Sequence, residues 1–247
     1  MNEIEKIESA KMIGIGEDGI KTLDSISDKI VHNMDLEKIT VNQDVDKDYV
    51  RELLDGVDVL FLTHNSEDKK SLQIVNAIGY MADERRVLSV GLDSAKKENK
   101  DDVNLNREFK INDENTDTLL NVMNMLLDSI SDSCMINIDL SDLKETLCSE
   151  KGIKYSCGEF DKSVNNDGIV NVLLENTIES GEEFVGKKQV ILVEMDSNYC
   201  EEEKMLIILN DLLMKIQDSN KESYETIFSL YIREKSQEKI KIGLVCN

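Results

Sequence analysis

The sequence predicts an α/β protein of two units, the first around a mainly parallel sheet and the second around a smaller mixed sheet. Three observations carry this. From Lys11 onward, short apolar runs alternate with amphipathic stretches, the rhythm of strands joined by crossover helices. One segment, Thr116 to Ser131 (TDTLLNVMNMLLDSIS), is apolar around nearly its whole circumference, as a helix buried on both sides is. Beyond it the strand and helix rhythm resumes as far as Cys246. The expected division is residues 1–114 as a Rossmann-like domain, 115–133 as a central helix serving two cores, and 134–247 as a second α/β domain.

In the first domain the strands are expected at Met12 to Ile15, Lys38 to Val41, Val57 to Thr63 and Val87 to Gly91, with three helical segments between them. The helix from Ser66 to Arg85 sets Leu72, Val75, Ile78 and Ala82 at spacings of three and four, a stripe that packs on a sheet while the other face stays charged. Asp93 to Asn106 (DSAKKENKDDVNLN) is too polar for core and reads as a surface connection before a short strand at Glu108 to Ile111. In the second domain a helix from Leu140 to Ser149, a strand from Gly152 to Phe160 and a helix from Gly168 to Ile178 lead to a strand from Gln189 to Glu194. A helix from Glu201 to Gln217 follows. Two long strands, Tyr224 to Arg233 and Lys239 to Cys246, are joined by EKSQE and are expected to pair as a hairpin.

The 247 residues suffice for sizeable cores. With 51 acidic and 29 basic side chains, the net charge of −22 repels nucleic-acid phosphate and anionic lipid. Neither nucleic acid nor direct membrane contact is expected, and the longest apolar runs have strand length, not membrane-span length. The opening MNEIEKIESAK has no apolar stretch of the secretory kind, so cytoplasmic residence is expected. Five cysteines without a C-x-x-C pair and only two histidines argue against a disulfide framework or a zinc site. The cysteines are expected as small buried hydrophobes, above all Cys157 and Cys246, and no metal is expected.

Three turns carry the chemistry. The first strand leads into Gly14-Ile15-Gly16-Glu17-Asp18-Gly19, which satisfies G-x-G-x-x-G at a strand-to-helix turn. Two readings fit it. Its amides offer a phosphate site, with Asp44 near the ribose-binding position of a dinucleotide fold. Alternatively the glycines serve a tight turn, and Glu17 and Asp18 are first-turn acids that favour the helix and oppose a phosphate. The second turn, Thr63 to Ser71 (THNSEDKKS), contains no glycine. Asn65 or Ser66 is expected to cap its helix with Glu67 and Asp68 in the first turn, Lys69 and Lys70 on a solvated face, and His64 as a loop histidine.

The third turn reads Cys134-Met135-Ile136-Asn137-Ile138-Asp139-Leu140-Ser141-Asp142. The pattern Asn137-x-Asp139-x-x-Asp142, between a long buried helix and the strand GIKYSCGEF, resembles the catalytic loop of FtsZ, the bacterial tubulin-family division protein. Other segments follow the same order. KMIGIGEDGIKTLDSI resembles the family's first strand and glycine loop, ITVNQD its second strand, DGVDVLFLTHN the strand before its signature, and QVILVEMD through KIKIGLVCN its second domain and final hairpin. The resemblance covers most of the chain.

In that family GTP sits on one subunit and the acidic loop of the next orients water, so hydrolysis needs a head-to-tail filament. The resemblance assigns Asn137, Asp139 and Asp142 to this loop, with the two aspartates as the water-orienting carboxylates. The same residues also make a helix N-terminus, capped by Asp139 or Ser141 and complemented by Asp142. It further matches Asp117 to the guanine-reading aspartate, Asn112 to a second base contact, and Gly14, Gly16 and Gly19 to the phosphate loop. Asn115 to Asp117 equally read as the start of a helix.

Several departures weaken nucleotide binding. THNSEDKKS replaces the glycine-rich signature, the first loop carries two extra acids, the glycine-rich loop after ITVNQD is missing, and the ribose-contacting Glu and Arg are not recognisable in LDSAKKENKDD. Nothing here matches the family's C-terminal recruiting peptide, so no link to membrane tethers is expected. The expectation is a divergent FtsZ-like pseudo-GTPase with no cofactor, or weakly bound GTP or GDP with magnesium. Its partner would be FtsZ or a second copy, and it would cap or regulate filaments through the Asn137 to Asp142 loop. The alternatives are a weak self-assembling GTPase and a dinucleotide-binding domain, although no catalytic His, Lys or Tyr constellation supports the latter.

Overall fold

The computed structural model describes residues 10–30, 32, 34–97, 103–131, 133–148, 152–181, 188–219, 224–235 and 237–247. Most of the MNEIEKIESAK opening, residues 98–102 of the polar connection and the expected helix end at Ser149 lie outside them. The chain forms two compact units, Met1–Thr116 with Leu147–Ser149, and Asp117–Thr146 with Glu150–Asn247.

The first unit runs β1 (Ala10–Ile15), α1 (Gly16–Ile26), β2 (Asp35–Ile39), α2 (Lys47–Leu53), β3 (Val59–His64), α3 (Lys69–Glu84), β4 (Leu88–Asp93) and β5 (Arg107–Lys110). Its five strands are all parallel, in the order β2-β1-β3-β4-β5. β3 and β4 are buried at every residue, as a parallel strand covered by helices on both faces must be. Ile13, Leu60 and Leu62 pack with Val50 of α2 and with Val75 and Ile78 of α3. On the opposite face, the Thr63 hydroxyl donates to the Gly19 carbonyl of α1 at 2.7 Å.

Two expectations shift here. β2 lies earlier than Lys38 to Val41 because its register with β1 begins at Lys11 opposite Asp35, where Lys11 Nζ meets the Asp35 carboxylate at 3.1 Å. Asp44 therefore lies well past the strand in an exposed stretch, not at its end. α3 begins at Lys69, not Ser66, because the cap is Asp68, whose carboxylate accepts from the Lys70 amide.

The second unit contains α4 (Thr116–Ser129, counted from Asp117), α5 (Leu140–Leu147), β6 (Ile153–Asp161), α6 (Asn166–Glu175), β7 (Ile178–Ser180), β8 (Lys188–Asp196), α7 (Glu202–Ser219), β9 (Glu225–Arg233) and β10 (Lys239–Cys246). The sheet order is β7-β6-β10-β8-β9, and only β8 and β9 are parallel. The expected hairpin of the last two strands is therefore wrong. α7 is long enough for a crossover, so β9 joins β8 as a βαβ unit, and β10 enters between β6 and β8, antiparallel to both. Its unbroken buried run from Ile242 to Cys246 suits an interior strand better than an edge. Ile178, expected as helix, instead starts the short edge strand β7, because α6 already closes at Asn176.

α6 and α7 cover one face of this sheet through Ile169, Leu173, Leu209 and Leu212. α4 packs on the other face. Met125 Sδ lies 3.8 Å from Cys157 Sγ, and Lys241 Nζ donates to Asn121 Oδ1 at 2.9 Å. As its all-round apolar pattern requires, Leu119, Leu120, Val122, Met123, Leu126 and Leu127 are all buried.

All five cysteines are free thiols. Cys134 and Cys246 are buried as expected, Cys157 and Cys200 are only partly buried and Cys148 is exposed, while burial pushes Cys134, Cys157 and Cys246 up to about 11, which suits inert packing groups. Among the described residues no helix is long and apolar enough to cross a membrane.

Candidate functional site

In the first sheet the chain leaves β1 toward β2 on one side, and β3 leads toward β4 on the other. The crevice beyond the carboxyl ends of β1 and β3 is thus the topological switch point, where open α/β sheets bind ligands. The two turns flanking it are the glycine turn after β1 and the Thr63 to Ser71 turn after β3.

Gly16 adopts a left-handed φ of 72°, which favours glycine. The space beside its Cα is filled from within. A Cβ on Gly16 would lie 2.0 Å from Ser71 Oγ and 3.4 Å from Asp68 Oδ2. Ser71 Oγ donates to Asp68 Oδ2 at 2.6 Å, and this hydrogen bond holds the Asp68 carboxyl below its usual range. The turns are also tied to each other, since Asn65 Nδ2 donates to Asp18 Oδ2 at 2.9 Å. Glu17 pairs with Lys21 at 2.7 Å on the exposed side. A phosphate entering here would meet Asp18 and Asp68 where a binding site needs free amides or cations.

Gly14 of β1 and Gly16 and Gly19 of α1 thus flank one strand-to-helix junction, and at least one has a packing duty. A Cβ on Gly19 would lie 2.3 Å from the Thr63 carbonyl oxygen, so α1 sits against the backbone of β3 there. Lys69 and Lys70 are exposed, as expected. His64 is a correction, because it is the last residue of β3 and fully buried, not a loop histidine. Its Nε2 lies 3.0 Å from Glu108 Oε2. Ser66, offered as a cap, instead gives its amide and hydroxyl to the Asp93 carboxylate at 2.9 and 2.6 Å.

Asn112 follows β5 on the same sheet edge as the glycine turn, three strand spacings or about 14 Å across. Its Oδ1 accepts from the amides of Glu114 and Asn115 at 2.9 and 3.1 Å, which commits that oxygen to starting α4. Asp117 stands exposed in the first turn of α4.

The acidic loop is built differently. Ile136 bonds Leu230 of β9 in both directions, at 3.1 and 3.0 Å, and the Ile138 amide donates to the Ser129 carbonyl at 2.8 Å. These bonds fix the backbone and leave Asn137, Asp139 and Asp142 exposed on one short segment. Asp139 also caps α5. Its Oδ1 accepts from the Ser141 amide at 2.8 Å and from the Ser141 hydroxyl, which hold its carboxyl below the ordinary range. A cavity of about 260 Å³ in the second unit, beside Lys154, Ser156, Leu174 and Cys246, contains none of the expected site residues.

No family model matches the chain, and no curated protein matches it in sequence. Solved structures do match. An FtsZ dimer described as empty, from M. jannaschii, aligns over 99% of this chain and 89% of its own with a TM-score of 0.66 at 11% identity. The fold is that of FtsZ. A point mutant of M. jannaschii FtsZ gives 97% and 90% coverage, TM-score 0.65 and 11% identity, and CetZ from Methanosaeta thermophila gives 97% and 86%, 0.60 and 10%. Within this FtsZ-like fold, sequence reasoning named Asn65 and Asp68 at this turn but missed Ser71 and the contacts that join the two turns. The missing glycines of THNSEDKKS were the available signal. The contact between the two turns had none.

Proposed function

We propose that the protein is a pseudo-GTPase of FtsZ-like fold that joins a cytoskeletal filament through Asn137, Asp139 and Asp142 and caps or regulates it. The observation that carries this reading is the filling of the Gly16 cradle by Ser71 and Asp68, while the acidic loop remains exposed. A subunit so built offers a loop to the nucleotide-bearing face of a neighbour and presents no competent nucleotide face of its own. Growth beyond it stops. That one similar FtsZ structure is a dimer supports a protein contact as the working state, with FtsZ or a second copy as the partner.

Two measurements test it. Calorimetry with GTP or GDP and magnesium is expected to show no binding at about 1 mM, and replacing Asp68 by Ser, which keeps a cap, is expected to raise phosphate affinity measurably. Micromolar GTP binding that Asp117→Ala abolishes would overturn the pseudo-GTPase reading. Substoichiometric protein is expected to lower FtsZ polymer mass and GTPase rate. Asp139→Ala and Asp142→Ala should each remove that effect, and their retaining it would count against the loop as the docking element.

A further inference from the structure

At the carboxyl edge of the first sheet, His64, Asp93 and Glu108 come together from β3, β4 and β5. We propose that these three side chains form a binding site for a divalent transition-metal ion of the zinc type. The inference does not depend on the filament reading.

Their ligand atoms all lie within 4.8 Å of one another, and His64 Nε2 is 3.0 Å from Glu108 Oε2. An ion bonded at about 2.0–2.2 Å to nitrogen and oxygen needs ligand pairs spaced about 3–4 Å apart, so small rotations complete the set. His64 and Asp93 are fully buried, and the Glu108 side chain, 22% exposed, leaves an entry path. Strand register makes the arrangement. Gly91 of β4 stands between Leu62 and Glu108, and a Cβ there would lie 3.2 Å from His64 Cε1 and 3.4 Å from Glu108 Cγ. Its missing side chain lets the imidazole reach across β4 to β5.

The histidine supplies an independent observation. Nδ1 faces the Leu62 carbonyl at 3.4 Å while Nε2 faces a carboxylate, so both ring nitrogens look at oxygen acceptors. A neutral imidazole carries one N–H. If Nδ1 holds it, the Nε2 lone pair points at Glu108, and a cation between them turns that repulsion into two bonds. The Nδ1 contact to a backbone carbonyl is the usual way a metal-ligating histidine is oriented.

The remaining charge nearby is Lys110. Asp93 accepts from the Ser66 amide and hydroxyl, from the Ala95 amide at 2.9 Å, and from Lys110 Nζ, which also donates to the Lys97 carbonyl at 2.9 Å. The ammonium is thus a competing cation. An incoming ion displaces it from Asp93, so loss of the ammonium favours the metal.

The test uses the full chain stripped with EDTA and then titrated with zinc chloride, read by elemental analysis and calorimetry. Wild type is expected to take one zinc per chain. Glu108→Gln and His64→Ala should each weaken binding by more than about 100-fold, beyond the effect of losing an outer-sphere partner. Lys110→Met should tighten it. If His64→Ala fails to fold, Glu108→Gln, at the partly exposed ligand, decides alone, and unchanged zinc affinity in it overturns the proposal. So does the absence of zinc uptake by both wild type and Lys110→Met at about 100 µM, well above the range of specific zinc sites.

Discussion

Arg233→Met is expected to destabilise the second unit by about 3–5 kcal/mol at neutral pH, as loss of one partner from a buried charge cluster does. Arg233 Nε lies 2.8 Å from Asp196 Oδ1, and its Nη1 lies 3.0 Å from Glu159 and 3.6 Å from Glu194. The side chains of Arg233, Glu194 and Asp196 are 8%, 8% and 0% exposed, so methionine would leave two buried carboxylates facing each other's charge. Burial already pushes the Glu194 carboxyl above its ordinary value, with Lys241 and Arg233 pulling it back. A group whose folded value is raised contributes stability at low pH and loses it as pH climbs through that value. The deficit of Arg233→Met should therefore shrink as pH falls into the carboxylate range, and adding Glu194→Gln and Asp196→Asn should recover most of it. Thermal unfolding reads both effects, and a deficit that is small and constant with pH would show that water reaches these acids.

Gly19→Ala is expected to cost about 3 kcal/mol, the upper part of the range for overpacking a close contact. The added Cβ would sit 2.3 Å from the Thr63 carbonyl oxygen, 2.9 Å from its carbon and 3.0 Å from His64 Cα. These are backbone atoms of a buried central strand, which cannot swing aside. α1 must lift instead, breaking the 2.7 Å bond from Thr63 Oγ1 to the Gly19 carbonyl. Gly56→Ala is the matched control, since Gly56 has a φ of 68° and nothing within 4 Å of the new methyl, so it costs only about 1 kcal/mol of backbone strain. Equal losses in the two variants would refute the packing role of Gly19.

What the sequence made legible follows from burial. β3 and β4 are continuous apolar runs because helices cover both their faces, and α4 announces itself by having almost no polar side. β2 and β7 were misplaced or missed because they are edge strands. DLEKI is mostly exposed and held partly by Lys11, and IES is three residues long, so neither carries a period. The hairpin error has another origin. Neighbours in sequence pair by default, but the α7 crossover gave β9 to β8 and left β10 to fill the interior.

For the site, the acids of both turns were visible in the sequence, whereas their mutual contact was not. Asn65 meets Asp18 across 47 positions, and His64 meets Glu108 across 44, separations at which no local pattern operates. Counting two histidines and no C-x-x-C argued against zinc, yet that count cannot see His64, Asp93 and Glu108 brought together from three adjacent strands. The Asn137 to Asp142 motif was legible because it is contiguous. Its cap and its exposure come from the same six residues.

The insertion of β10 into the middle of the second sheet also sets an order of assembly. Every strand of the first sheet is synthesised by Lys110, so that sheet can form while the rest of the polypeptide is still being made. The second sheet cannot. Until residues 239–246 emerge, β7 with β6 and β8 with β9 are two separate ribbons, each with an inner edge of unsatisfied amides and carbonyls. The strand made last in this sheet is the one that joins them, so both inner edges of the nascent second unit stay open to pairing with another chain until β10 is added.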